Sequence, residues 1–499
     1  MKVIWYKMEP CILTFDIGTS SCKAVLFNER MEKLAEGRGS YPIHTLDGGR
    51  VEQIPEEILK GFWKSLEKLK KDASLEGVQA VSFSSQMSAQ CLVGQDDKPL
   101  TNILSWMDKR AVKEVEAFGR SFSRQEVIDL TGMDMVVTPA YGIAKLRWLK
   151  SNAPELVVRA KFFVQIKEII IHALTGEWVS DATSLKGIVS QKSGRPIPEI
   201  MDFIGVSEEI IPAVKEPYDV AGRLRVDVAQ LYGLPPGIPV VVGWNDMNAA
   251  FLGMAGVPEQ SLGLDMTGTS EHFGVISVGK AEPDRYEGLN KVPFLNQRIV
   301  YYGVTSSGGQ VAEWFSREIL QYSSASECFA QLNPYEQFPL QEVKNLIFIP
   351  YIEGERNPWN DTRIRGAWIG LERMHKQKHM AWGVLEGVCF ALKAMYDRFP
   401  VMPEKFIISG GASNSDVWTQ MKADVLGSPF ECPEQREAGC IGAAVLAMRA
   451  LHPTWSWEKL NRFLPQKKAV FLPNPELHHY YEEKYNRFLE LYHALKEYF

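Results

Sequence analysis

A Gly-Thr-Ser triplet set between two apolar, β-prone runs occurs twice in this chain, as Gly18-Thr19-Ser20 and as Gly268-Thr269-Ser270, half a chain length apart. Two related α/β halves, each offering the same small-residue turn to one phosphate chain, produce such an echo. At 499 residues the chain also exceeds the size at which a single hydrophobic core stops growing. Two domains are therefore expected, 1–254 and 255–499, with the break just after Asp246.

The local patterns agree with alternating α/β order. Runs 11–15 and 24–27 flank Asp16-Ile-Gly-Thr-Ser-Ser and read as a hairpin. Helical spacing is expected over 58–70, 142–150 and 163–174, and a strand over 78–83 leads into Ser84-Ser85-Gln86-Met87. A buried strand over 240–242 ends at Gly243-Trp-Asn-Asp246. Strand 406–409, the turn Gly410-Gly411-Ala412-Ser413-Asn414-Ser415 and a helix over 417–426 form a recurrent nucleotide-binding arrangement. The tail, 480–499, reads as an amphipathic helix anchored by Leu489, Leu491, Leu495 and Tyr498.

Composition excludes several function classes. A net charge of −6 without a long Lys/Arg run offers no field for a nucleic acid, so small-molecule partners are favoured. Seven scattered cysteines, an odd number without CxxC pairing, point to a reducing cytoplasm rather than a disulfide framework. The N-terminus lacks a signal-peptide h-region, and no stretch has the apolar length of a membrane span, so a soluble, unexported protein is expected.

The sequence has no Walker A loop, so a nucleotide must be held by separate turns. In the first, Gly18 lets backbone amides approach, the Thr19 and Ser20 hydroxyls can donate to phosphate, Lys23 adds charge, and Asp16 can hold magnesium through water. Gly268 and Thr269 would do the same in the second half, and Gly410-Gly411 leaves room for a purine or ribose. Each turn alone is more often an ordinary tight turn than a phosphate site, and it is the three together that point to a nucleotide. Asp246 is either a general base at a strand end or the cap of the helix that starts near Asn248. Trp106, Asp108 and Arg110 are either core packing with an ion pair or one wall of a sugar pocket, and Glu353-Gly354-Glu355-Arg356 could be only a charged loop.

Taken in order, Asp16 to Lys23, Ser84 to Met87, Trp106 to Arg110, Lys167-Glu168 with Ser180-Asp181, Gly243 to Asp246, Gly268 to Ser270, Pro350 to Pro358, Leu385 to Gly387 and Ser409 to Asn414 make the whole chain resemble the FGGY carbohydrate kinases of the actin- and hexokinase-like ATPase superfamily. The resemblance implies two ribonuclease-H-like domains around a central cleft, with ATP and Mg²⁺ in it and sugar held mainly by the N-terminal half. It implies that Asp246 takes the proton of the attacking hydroxyl. Gln86, Met87, Trp106 and Asp108 then fall at substrate positions, and Gly268, Thr269, Gly309, Gly411 and Ser415 at nucleotide positions. A homodimer is the assembly it suggests. Where xylulokinases read Gln-Met-His this chain has Gln86-Met87-Ser88, and Met247 follows the base in place of Asn. Part of the chain, around 82–87 and 99–108, resembles gluconate kinases. The expected substrate is a pentulose such as xylulose, with gluconate or another sugar acid or polyol second. A catalytically silent sugar- or nucleotide-binding regulator and an actin- or chaperone-like ATPase are the readings from other classes.

Overall fold

The computed structural model describes residues 10–268, 270–279, 285–434 and 437–499. Thr269, expected at the nucleotide site, lies outside the described residues. The chain divides into two units, Met1–Gly256 with Glu437–Leu464, and Val257–Arg436 with Pro465–Phe499. The main segment of the first unit ends close to the expected 254/255 boundary, and residues 437–464 group with that unit rather than with the second.

In the first unit, Cys11–Ile17 is buried along most of its length, with Cys11, Leu13, Phe15 and Ile17 on one face and Ile12, Thr14 and Asp16 on the other. It pairs antiparallel with Ser21–Asn28, setting Asp16 opposite Lys23, and Lys33–Ser40 extends this meander. On its other side it runs parallel to Val78–Ser85, with Asp16 opposite Ser84. Val78–Ser85 in turn pairs parallel with Pro239–Val241 and Trp244–Asn245, and Val220–Arg223 closes the edge antiparallel to Pro239–Val241. Parallel strands buried on both faces need helices on each. Pro55–Leu69 supplies one, burying Ile58, Phe62, Leu66 and Leu69 at helical spacing and bringing the Phe62 ring to 4.4 Å from Phe15. Asp246–Ala255 and Ala438–Leu451 pack against each other, Gly253 and Gly442 letting their backbones touch. A Cβ on Gly442 would lie 1.8 Å from the Ala249 carbonyl oxygen, and one on Gly253 1.9 Å from that of Ala438. This helix–helix seam explains why residues 437–464 belong to the first unit.

The second unit repeats the plan. Leu262–Thr267 pairs antiparallel with Glu271–Ser277, which continues to Ile299–Thr305 and Asn290–Pro293. On the other side come Phe406–Gly410 and Phe430–Pro433, both parallel, and an antiparallel edge, Lys467–Phe471. Each sheet is thus an antiparallel meander, a parallel step and an antiparallel edge, the order expected of a ribonuclease-H-like core, and the Gly-Thr-Ser echo marks the same hairpin in both. The buried helix Gln377–Tyr396 crosses the second core, where Trp382 is fully buried.

Two sequence expectations are corrected. The helix expected over 163–174 is a strand, Ala160–Gln165, followed by a helix, Ile166–Thr175. The strand pairs with Gln90–Gly94, and the Gln165–Glu168 capping box starts the helix only after the aromatic pair has passed. The C-terminal helix, Pro475–Leu495, buries Tyr481, Lys484, Tyr485, Phe488 and Tyr492, while the expected leucine anchors are half-buried and Tyr498 is 84% exposed.

Candidate active site

The carboxyl ends of three adjacent parallel strands in the first unit carry the expected chemistry. Register puts Asp16 beside Ser84 and Ser84 beside Trp244, so Asp16, Gln86 and Asp246 emerge from neighbouring strand ends. That end of an open α/β sheet is where ligands bind. Gly243 makes the turn into Trp244–Asn245 with φ of 70°, and a Cβ there would lie 2.5 Å from the Phe83 carbonyl oxygen.

Asn245, not Asp246, caps the following helix: its side chain accepts the Asn248 N–H at 3.0 Å. The capping role left open for Asp246 therefore belongs to its neighbour. The Asp246 carboxylate accepts the N–H of Met247, at 2.8 Å, and stays open to solvent. Protein crowding its remaining sides pushes it up to about 7, the Met247 N–H opposes this, and the charge of Asp16 adds to the rise. Asp16 itself is raised, by burial first, against the Ser84 hydroxyl that donates to it at 2.7 Å and the Lys23 charge. Lys23 pairs with Glu437.

Behind Asp246 a buried network fixes the strand end. Lys167 pairs with Asp181 at 2.7 Å, Thr183 donates to Asp181, and the Thr183 hydroxyl accepts from Trp244 Nε1 at 2.8 Å and Asn245 Nδ2 at 3.0 Å. Ser180 donates to Glu168 at 2.6 Å. The signature pairs 167–168 and 180–181 thus meet.

Among the expected substrate residues, Gln86 is buried, its Nε2 amide donates to Gln53 Oε1 at 3.3 Å, and its Oε1 has no partner among the described residues. Trp106 is 43% exposed and donates from Nε1 to the Thr19 hydroxyl at 3.0 Å, which ties the expected sugar wall to the first Gly-Thr-Ser turn. Met87 is half-buried beside them. The Asp108 carboxylate, expected at a substrate position, is buried, with Arg110 and the Val51 N–H on it. It holds the loop that carries Trp106.

Lys145 was not found from the sequence. It is fully buried on helix Gly142–Asn152 and donates to the carbonyls of Ser88, Leu104 and Ser105, pinning the segments that carry Met87 and Trp106. Burial lowers it to about 7. Its helical spacing says only that it faces inward, and its acceptors lie on two distant loops.

The second unit holds a cavity of about 660 Å³ lined by Gly268, Gly309, Gly411 and Ser415, together with Trp314 and Phe329. Apolar walls with a few polar groups at this size suit a nucleoside. Four expected nucleotide residues come together here, while Gly18, Thr19, Ser20 and Lys23 belong to the first unit. Ser415 also caps helix Asp416–Leu426. Glu355, from the loop that might have been only charged, is buried and accepts from Thr305 at 2.9 Å; burial pushes it up to about 8.

Fold and site together define a phosphotransferase of the actin-like ATPase class. The models of the FGGY family of carbohydrate kinases match residues 11–253, N-terminal domain, and 266–451, C-terminal domain. The chain belongs to that family and is a sugar kinase, with ATP the donor that a kinase family implies. It is 29% identical to a xylulose kinase of Lactococcus lactis over 97% of each chain, and 28% identical to a gluconokinase of Bacillus subtilis over 89% of this chain and 88% of that one. Among solved structures it is similar to a gluconate kinase from Lactobacillus acidophilus, with a TM-score of 0.87 and 26% identity over 98% of this chain and 99% of that chain. Among the described residues no helix is long and apolar enough to cross a membrane.

Proposed function

We propose that this kinase transfers the γ-phosphoryl group of ATP to a hydroxyl of a neutral pentulose such as xylulose, with Asp246 as general base. The observation that carries the base is its place: a strand-end carboxylate uncommitted to the helix cap, open to solvent and next to the strand end of Asp16, with its affinity for a proton raised. A base with that affinity accepts the hydroxyl proton near neutral pH as the oxygen attacks phosphorus. Gln86 Oε1 accepts from a sugar hydroxyl, and the exposed Trp106 face covers an apolar ring or chain surface. Gly268, Gly309 and Gly411 take the nucleotide.

Asp16 fits Mg²⁺. Among the described residues no group of three His, Cys, Asp or Glu side chains is placed to hold a metal, and one strand-end carboxylate is the donor set that Mg²⁺ takes when phosphates and water supply the rest. The ion, when bound, neutralises charge on the transferring phosphoryl group.

A neutral substrate is favoured because the cations next to these residues are engaged: Lys167 by Asp181, Arg110 by Glu52 and Asp108, Lys145 by three carbonyls. Gluconate is the second reading, favoured by the gluconokinase relatives. A coupled ADP-release screen over xylulose, other pentuloses, gluconate, glycerol and hexuloses decides between them. Xylulose should give the highest kcat/KM and Asp246→Asn should lose about 10²- to 10⁴-fold in kcat; a preference for gluconate, or a fully active variant, overturns the assignment. Cytoplasmic placement fits seven free, buried cysteines, and the proposed homodimer is read by light scattering.

A further inference from the structure

Beneath the second Gly-Thr-Ser turn lies a fully buried charge cluster that the reaction described above does not use. Lys422, on helix Asp416–Leu426, donates to Asp265 Oδ2 at 2.6 Å, to the Thr267 hydroxyl at 3.2 Å and to Glu271 Oε1. Thr267 donates to Glu271 Oε1 at 2.9 Å. All three charged side chains are at 0% exposure.

The same hairpin in the first unit does without such a cluster. Counting from the Gly of each triplet, Phe15 stands where Asp265 does, Ile17 where Thr267 does and Ser21 where Glu271 does. Phe15 there packs on Phe62 and Phe83. A buried ion cluster is weak evidence for stability, since apolar replacements are often as stable, so its presence under one of the two hairpins alone asks for another reason.

Its surroundings supply one. Glu271 reaches two segments that border the nucleotide cavity. Oε1 is fixed from Lys422 and Thr267, while Oε2 has no partner among the described residues and abuts Gly308: a Cβ on Gly308 would lie 2.7 Å from Glu271 Cβ and 2.9 Å from Oε2. Gly309 is in turn seated on Gly268, where a Cβ would lie 2.5 Å from the Gly268 carbonyl oxygen. Burial raises Asp265 above its ordinary carboxylate value, while the Lys422 charge lowers Glu271 against the burial that would raise it.

We infer that Lys422, Asp265, Thr267 and Glu271 are positioning residues for ATP, locking the Gly268 turn and the Gly308–Gly309 segment into one rigid phosphate-facing unit. The inference rests on the nucleotide reading of the cavity.

The test is ATP affinity by isothermal titration, with thermal midpoint and sugar KM read alongside. The neutral triple variant Asp265→Asn/Glu271→Gln/Lys422→Met leaves no buried charge unpaired. It should bind ATP at least tenfold more weakly with sugar KM unchanged. Thr267→Val, which keeps the side-chain shape and decides the matter if the triple variant does not fold, should weaken ATP threefold or more. Parental ATP affinity in either folded variant overturns the inference. Gly411→Trp is the control: if it too leaves ATP affinity unchanged, the cavity assignment itself has failed; if it abolishes binding while the cluster variants do not, only the positioning role falls.

Discussion

The pH dependence of sugar phosphorylation follows from the position of Asp246. With its carboxyl at about 7, at pH 6 about one molecule in eleven carries the free base, and at pH 8 about ten in eleven do. The sign is fixed by the role: the deprotonated form is active, so kcat/KM for the sugar, at saturating MgATP, should rise about tenfold between those two values. At the ordinary carboxyl value of 3.8 the profile would be flat over the same range. A continuous ADP-release assay, with the coupling enzymes shown to be in excess at each pH, measures the profile, and a flat one refutes the reasoning.

Lys145→Met removes the donor from three buried carbonyls and should lower stability by on the order of 2–4 kcal/mol, read by denaturant titration, and raise sugar KM without changing ATP affinity. Gly243→Ala forces a left-handed residue against the Phe83 backbone and should cost about 2 kcal/mol or more together with most of kcat, measured by thermal melting and initial rates. Gln86→Leu should raise sugar KM at least tenfold, because a buried acceptor for a substrate hydroxyl is lost; steady-state kinetics check it.

Much of the fold was legible because its hairpins and helices carry their signals locally. Alternating apolar runs around Asp16 specify the first hairpin, and the 3.6-residue spacing of Ile58, Phe62 and Leu66 specifies the helix that covers it. Phe162, Phe163 and Val164 misled because an apolar run passes from strand to helix with no Gly or Pro between them. In the tail the three expected leucines do pack against the second core, but the stripe Tyr481, Tyr485, Phe488 and Tyr492 is buried more deeply, and Tyr498 stands in solvent. In the site, residues at strand ends could be picked out by their turns. Lys145 and Lys422 could not, since what makes a buried lysine tolerable is a set of oxygens far away in the sequence.

The glycine seam between helices Asp246–Ala255 and Ala438–Leu451 also governs how this protein is made. Ribosomal synthesis delivers the sheet of the first unit early, yet the helix that seals one of its faces arrives only after nearly the whole second unit has been translated. Until then the nascent chain carries an uncovered apolar surface, so stalled or truncated translation products ending before residue 438 should be chaperone clients rather than folded half-proteins.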